Sequence, residues 1–241
     1  MRALSIGLLL CLAGPCPGND AEPLRLAVAS SFRATAGLLG EAFERRRAVR
    51  VTVSAAATGV HVAQIRHGLP ADVLLAADSL GPRRLERLGH GLPGTRVDYA
   101  IGRLAWFGPR TPLAALGPGS SARVALANPR HAPFGTAAAA VLDRLGLPAG
   151  SRVYGNNAEQ ALLMADSGAA DGALVAWSQV RDRPEAQRRA IPADWYPPIR
   201  QQAIQLRDRP LAAEFLAFLR SGAGREIIRA AGYALPGEPG Q

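Results

Sequence analysis

Hydrophobic positions along the chain fall into short runs separated by turns rich in Ser, Thr, Gly and Pro. The runs alternate between a two-residue and a 3.6-residue period, the grammar of strands followed by helices. Leu24 to Ala29 has the length and alternation of a strand, Ser30-Ser31 follow, and Phe32, Leu38, Leu39, Ala42 and Phe43 recur at helical spacing. The same order returns at once. Val51-Thr52-Val53 reads as strand, Ala55 to Gly59 is a small-residue turn, and Val60, Ala63, Gln64 and Ile65 predict a short helix stopped by Gly68-Leu69-Pro70. Ala71 to Ala76 predicts a strand buried on both faces. A helix over Leu80 to Leu88 and one strand over Val97 to Phe107 close this first set.

A second set begins at Val124 to Ala127, read as a strand, with a turn over Asn128 to Thr136 and a helix over Ala137 to Leu145. Val153-Tyr154 continues as strand into Gly155-Asn156-Asn157-Ala158, followed by a helix from Glu159 to Ser167 and a buried strand Gly172 to Ala176. Tyr196-Pro197-Pro198-Ile199-Arg200 is extended by its prolines. Leu211 to Arg229 carries one amphipathic helical pattern, and the tail after Pro236 is expected to be loose. Two successive sets of strand–helix units predict an α/β fold of two lobes with a cleft. In open α/β sheets ligands gather at the carboxyl ends of the strands, where the turns at Ser30-Ser31, Thr58, Phe134 and Ala158 converge. Each such turn offers helix N–H groups without internal partners, at the positive end of a helix dipole, and suits an anion.

Composition narrows this picture. A chain of 241 residues with 48% apolar and 5% aromatic residues builds its core from Leu, Val, Ile and Ala. The net charge is +9 and every basic residue apart from histidine is Arg, yet the arginines are scattered, and Arg45-Arg46-Arg47 is the one run of three. That distribution argues for solvated helix faces and against nucleic-acid binding. Residues 1–21 have the pattern of an export signal: Arg2, an apolar run from Ala3 to Ala13, then small residues and prolines. The run is too short to span a bilayer. Both cysteines, Cys11 and Cys16, lie within it, so the exported chain is expected to have no thiol; Pro15 before Cys16 argues against a lipid anchor there.

Catalytic and metal signatures are weak. His61, His67, His90 and His131 lack metal-site spacing and are expected at surface or turn positions. Asp72 and Asp78, flanking one strand, are expected to be structural. No P-loop, GxSxG or post-strand GxGxxG occurs.

Taken in order, several stretches match a family. Ala27-Val28-Ala29-Ser30-Ser31-Phe32, Gln64 to Val73 with Ala77-Asp78, Asn128-Pro129 through Phe134-Gly135, Gly155 to Ala158, Tyr196 to Arg200, Phe215 to Ser221, and Ala231-Gly232-Tyr233 carry the match. Over nearly the whole exported length the chain resembles the periplasmic molybdate-binding proteins, the substrate receptors of molybdate importers. The resemblance implies a type II periplasmic-binding-protein fold: two α/β lobes joined by hinge strands, with 22–101 and 203–241 in one and 102–202 in the other. It implies a monomeric, non-enzymatic receptor without a cofactor, binding molybdate or tungstate and delivering it to a membrane ABC permease. Ser30 and Ser31 match the first donor turn, Thr58 stands where Ser is usual, and Phe134 and Ala158 would offer backbone N–H groups. These five residues would hold molybdenum only as its oxyanion. Val175 stands where the family commonly has a Tyr hydroxyl, and Trp177-Ser178-Gln179-Val180 looks more like a subgroup without that Tyr. Other readings stay open. A receptor for sulfate or phosphate would share the fold, and an iron receptor would want clustered tyrosines, whereas Tyr99, Tyr154, Tyr196 and Tyr233 are scattered. An exported α/β hydrolase would have to pair Ser30 or Ser31 with His131.

Overall fold

The computed structural model describes residues 22–238; the expected export signal, with Cys11 and Cys16, lies outside the described residues. Ten strands form two five-stranded mixed sheets. The first sheet contains β1 (Leu24–Ala29), β2 (Val51–Ala56), β3 (Val73–Ala76), β4 (Val97–Gly102) and β10 (Ile199–Gln205), in the order β2-β1-β3-β10-β4. The second contains β5 (Leu104–Phe107), β6 (Val124–Ala127), β7 (Arg152–Gly155), β8 (Gly172–Ala176) and β9 (Arg188–Ala190), in the order β7-β6-β8-β5-β9. Each sheet has a parallel half built by strand–helix–strand units, and each ends in two antiparallel contacts.

Helices cover both faces of each sheet, and the two-residue period of the strands supplies both layers. In β1, Leu24, Leu26 and Val28 pack on one side with α1 (Arg33–Glu44), α7 (Pro210–Arg220) and α8 (Gly222–Ala230), through Phe32, Leu39, Phe43, Phe215 and Ile228. Ala27 faces the other layer, where α2 (Thr58–Arg66) and α3 (Leu80–Arg87) contribute Val62, Ile65 and Leu85. The second lobe repeats the scheme. Leu104, Trp106, Val124 and Leu126 meet α4 (Pro133–Arg144) through Phe134, Val141 and Leu142. Ala105, Phe107, Ala125 and Val175 meet Ala161 and Ala165 of α5 (Ala158–Ser167) and Val180 of α6 (Trp177–Val180).

Four elements depart from expectation. Val97 to Phe107 is two strands: β4 ends at Gly102 in the first sheet, and β5 starts at Leu104 in the second. Arg103 is therefore a crossing between lobes: β4 is the edge strand of the first sheet, beside β10, and β5 lies inside the second, between β8 and β9. The chain crosses back before Ile199, where the proline segment leads into β10, a first-sheet strand over its whole length. Helix α4 starts at Pro133, four residues before the expected Ala137; proline suits a first helical turn because its missing N–H would have no partner there. The C-terminal pattern is two helices broken at Ser221, whose Oγ donates to the Phe218 carbonyl at 2.7 Å and accepts the Gly224 N–H at 3.2 Å.

Candidate functional site

Strands β1, β2 and β3 of the first lobe and β6 and β7 of the second end facing the cleft. Each turn that follows brings backbone to the cavity surface, mostly beside alanines and serines. Ala29, Ser30 and Ser31 leave β1 in a 3-10 turn leading into α1. Ala57 and Thr58 open α2, Ala77 follows β3, Ala132, Pro133 and Phe134 open α4, and Ala158 opens α5. All ten line one cavity of about 10 Å³. The structure thus brings together the five residues singled out from sequence: Ser30, Ser31, Thr58, Phe134 and Ala158.

No side chain in this lining is ionisable. Polarity comes from hydroxyls and helix N–H groups, whose dipoles point at the cavity from four helical turns. Thr58, 1% exposed, accepts the Ala77 N–H on Oγ1 at 3.0 Å, which leaves its own hydroxyl hydrogen free to donate. The Ser30 and Ser31 hydroxyls have no hydrogen-bond partner among the described residues. The serine turn is held instead through its backbone. Tyr233 donates its hydroxyl to the Ser31 carbonyl at 2.7 Å, and Ser178 Oγ, from the second lobe, donates to Tyr233 at 2.8 Å. Burial pushes the Tyr233 phenol far above its ordinary pKa, so this donor keeps its proton. In the second lobe Asn157 caps α5 by accepting the Gln160 N–H at 2.9 Å, leaving the Ala158 N–H outside the cap. Gly135 lets α4 start close to β6, since a Cβ there would fall 2.1 Å from the Ala127 carbonyl oxygen.

Beneath Ala77 lies a second support. The buried Tyr99 hydroxyl is 3.1 Å from the Ala76 carbonyl and 2.9 Å from the Gln201 side-chain oxygen, while Gln201 Nε2 has no partner. One hydroxyl hydrogen cannot serve two acceptors, so the hydrogen count favours the Gln201 amide turned over, with Nε2 donating to Tyr99. That completes a relay from β10 through Tyr99 to the end of β3.

The lobes touch around the cavity. Gly59 donates its N–H to the His131 carbonyl at 2.9 Å, Arg33 pairs with Glu159 at 2.9 Å, and Ala57, Ala127, Ala132 and Ala158 form a small apolar cluster with Val60. Val175 is fully buried in the helix-facing layer of the second lobe and is not among the cavity lining. Three supporting groups escaped the sequence reading: Ala77 N–H, Ser178 and Tyr233. All three were visible only as parts of family-like stretches.

The rival chemistries find no site. His131 is exposed and enters the site only through its backbone carbonyl, which accepts from Gly59, so no imidazole–serine hydrogen bond forms. No group of three or more His, Cys, Asp or Glu side chains placed to hold a metal occurs among the described residues. His61 corrects an expectation. It is fully buried, with Nδ1 3.1 Å from Gln64 Oε1 and Nε2 3.1 Å from the Ser54 carbonyl, and burial lowers its pKa. Asp72 and Asp78 are structural as expected: Asp72 holds the Arg25 N–H and Arg209, each at 2.8 Å, and Asp78 accepts the Gly81 N–H at 2.8 Å.

Comparison with known proteins agrees with this architecture. Residues 24–234 match the family of bacterial extracellular solute-binding proteins. The molybdate-binding protein ModA of Azotobacter vinelandii is 34% identical, with 97% of this chain and 96% of that protein covered. That of Rhodobacter capsulatus is 31% identical over the same shares. The solved structure of the A. vinelandii periplasmic molybdate-binding protein superposes with a TM-score of 0.81 at 32% identity, covering 88% of this chain and 99% of that one. These relatives are binding proteins, not enzymes. The chain belongs to the bacterial extracellular solute-binding protein family and groups within it with the periplasmic molybdate-binding proteins.

Proposed function

We propose that the cavity between the lobes binds molybdate, and tungstate with it, as a tetrahedral oxyanion held by neutral donors. The observation that carries this reading is the lining itself: free hydroxyls on Ser30, Ser31 and Thr58 and helix N–H groups at Phe134 and Ala158, with no ionisable side chain among them. A buried dianion is costly unless hydrogen-bonded on all sides. Each charge-assisted hydrogen bond contributes roughly 1.5–3 kcal/mol, so five or more can sustain a tight complex after desolvation. Size then separates molybdate and tungstate from the smaller sulfate. A cavity of about 10 Å³ holds roughly one water, so a four-oxygen anion requires the lobes to part and re-close around it. The hinge would lie at the two crossings, Arg103 and the proline segment before Ile199.

The closed form, with Gly59 bonded to His131 and Arg33 to Glu159, is the state a membrane permease would recognise in the periplasm, with the receptor working as a monomer. Among the described residues no helix is long and apolar enough to cross a membrane. A thermal-shift assay with molybdate, tungstate, sulfate and phosphate in separate wells tests the reading. At about a hundred times its Kd a ligand adds roughly 2.7 kcal/mol, worth about 5–10 °C for a chain of this size. A shift with molybdate and tungstate alone supports it. A shift with sulfate or phosphate instead would reassign the ligand, and no shift with any of the four would remove the oxyanion reading.

A further inference from the structure

A second, larger space adjoins the cavity. About 600 Å³ in volume, it shares Thr58, Ala77, Ala132 and Pro133 with the inner lining and opens outward between the lobes. Three arginines from three separate elements stand around it: Arg84 on α3, Arg130 in the turn before α4, and Arg200 on β10. All three are exposed, and none forms an ion pair among the described residues. What marks them is position: the three converge on one opening, while other arginines without an ion pair among the described residues, such as Arg66, Arg87 and Arg220, lie outside its lining. Arg25, Arg33, Arg47, Arg96, Arg152, Arg181, Arg183, Arg207, Arg209 and Arg229 all reach a carboxylate. The one carboxylate in the lining, Asp78, is partly buried and turned to the α3 N-terminus, where its Oδ1 accepts from Gly81.

A charged mouth in front of a neutral cavity divides the work. Inside, guanidinium groups would bind any dianion and hold it, so selectivity needs their absence. Outside, the same groups raise the local concentration of dianions without deciding which one is kept. We propose that Arg84, Arg130 and Arg200 form an outer capture site for tetrahedral inorganic dianions, from which the oxyanion passes past Thr58 and Ala132 into the inner cavity. This rests on the reading of the inner cavity as an oxyanion site and assigns the first step of its loading. The outer site is open to sulfate as well as molybdate; the inner one is not.

The magnitude follows from screened Coulomb attraction. With each guanidinium taken at about 10 Å from a dianion in water, three of them raise the association rate about threefold at 0.15 M salt and about twentyfold at 0.01 M.

The test is stopped-flow binding of molybdate to the full exported chain, read by intrinsic tryptophan fluorescence, with equilibrium Kd from calorimetry. The variants are Arg84→Gln, Arg130→Gln and Arg200→Gln, singly and together. The control removes the same charge at the C-terminal ends of α2, α3 and α7 (Arg66→Gln, Arg87→Gln, Arg220→Gln), and melting curves check that both triple variants fold. The expected result is a kon of the mouth variant reduced about threefold at 0.15 M salt and about twentyfold at 0.01 M, with koff unchanged and the control within a factor of two of the unsubstituted chain. Sulfate should slow molybdate capture more than chloride at matched ionic strength, and that difference should vanish in the mouth variant. An unchanged kon in the mouth variant overturns the capture site while leaving the receptor intact. An equal fall in the control overturns it too, by reducing it to net charge. Failure of the unsubstituted chain to bind molybdate would overturn both readings, and the calorimetry makes that case distinct.

Discussion

Thr58→Val keeps the shape of the side chain and removes its oxygen, which separates two roles that the structure gives one atom. As an acceptor, Oγ1 takes the Ala77 N–H at 3.0 Å in a position only 1% exposed. Valine leaves that donor buried without a partner, a loss of about 1–3 kcal/mol. For a chain of this size the ligand-free melting temperature should fall by about 3–10 °C. As a donor, the hydroxyl would give one charge-assisted hydrogen bond to the anion, about 1.5–3 kcal/mol. At 1.4 kcal/mol per decade that is a Kd raised about 10- to 150-fold. Thr58→Ser keeps both hydrogen bonds and loses one buried methyl, about 0.8 kcal/mol of stability, so its Kd should stay within about threefold. Urea unfolding without ligand reads the first role, and titration calorimetry with molybdate reads the second. A Thr58→Val protein that is destabilised yet binds with unchanged Kd would refute the donor role and leave Thr58 as a tether between α2 and β3. An unchanged stability would refute the acceptor role.

Two further substitutions test the frame around the site. Asp72→Asn removes the charge that holds Arg209 and keeps the shape. It should cost about 3 kcal/mol in urea unfolding, the low end for a broken buried pair because Arg209 is 17% exposed. Asp72 precedes β3 and the cavity follows it, so molybdate affinity should stay within twofold; a weakened Kd would contradict this separation. His61 sets a pH dependence. Burial lowers its folded pKa below the ordinary 6.5, so below that pH the unfolded chain takes up a proton that the folded chain resists. Stability should fall from about pH 7 to pH 5, and His61→Gln should flatten that slope. A slope unchanged in the variant would assign it to other groups.

The repeated strand–turn–helix units were legible because the inner strands β1, β3, β6 and β8 are buried on both faces and the turns at Ser30-Ser31 and Thr58 are marked by hydroxyl residues. The same logic made the five cavity residues readable, since Ser30, Ser31 and Thr58 stand directly where strands end. What the pattern could not carry was the crossing at Arg103. Burial looks the same on either side of it, Tyr99 and Ala100 in one sheet and Leu104 and Ala105 in the other, and a period of two does not record which sheet a strand joins. The start of α4 was missed because Pro133 reads as a turn residue although it fits a first helical turn. His61 looked like a surface residue because polarity was the only cue; its burial depends on two hydrogen-bond partners, the Gln64 side chain and the Ser54 carbonyl, and the carbonyl has no signature in sequence. Tyr233, 202 residues from Ser31, braces the serine turn through a contact that only the fold creates.

The central claim is that a tetrahedral oxyanion sits among neutral donors from both lobes. Anomalous diffraction at the molybdenum edge, from crystals of the exported chain grown with molybdate, tests it most directly. The account predicts one strong peak between the lobes, with its oxygens within hydrogen-bond distance of the Ser30, Ser31 and Thr58 hydroxyls and the Phe134 and Ala158 N–H groups. A peak held by Arg84, Arg130 and Arg200 alone, or by any charged side chain in place of the neutral lining, would contradict it.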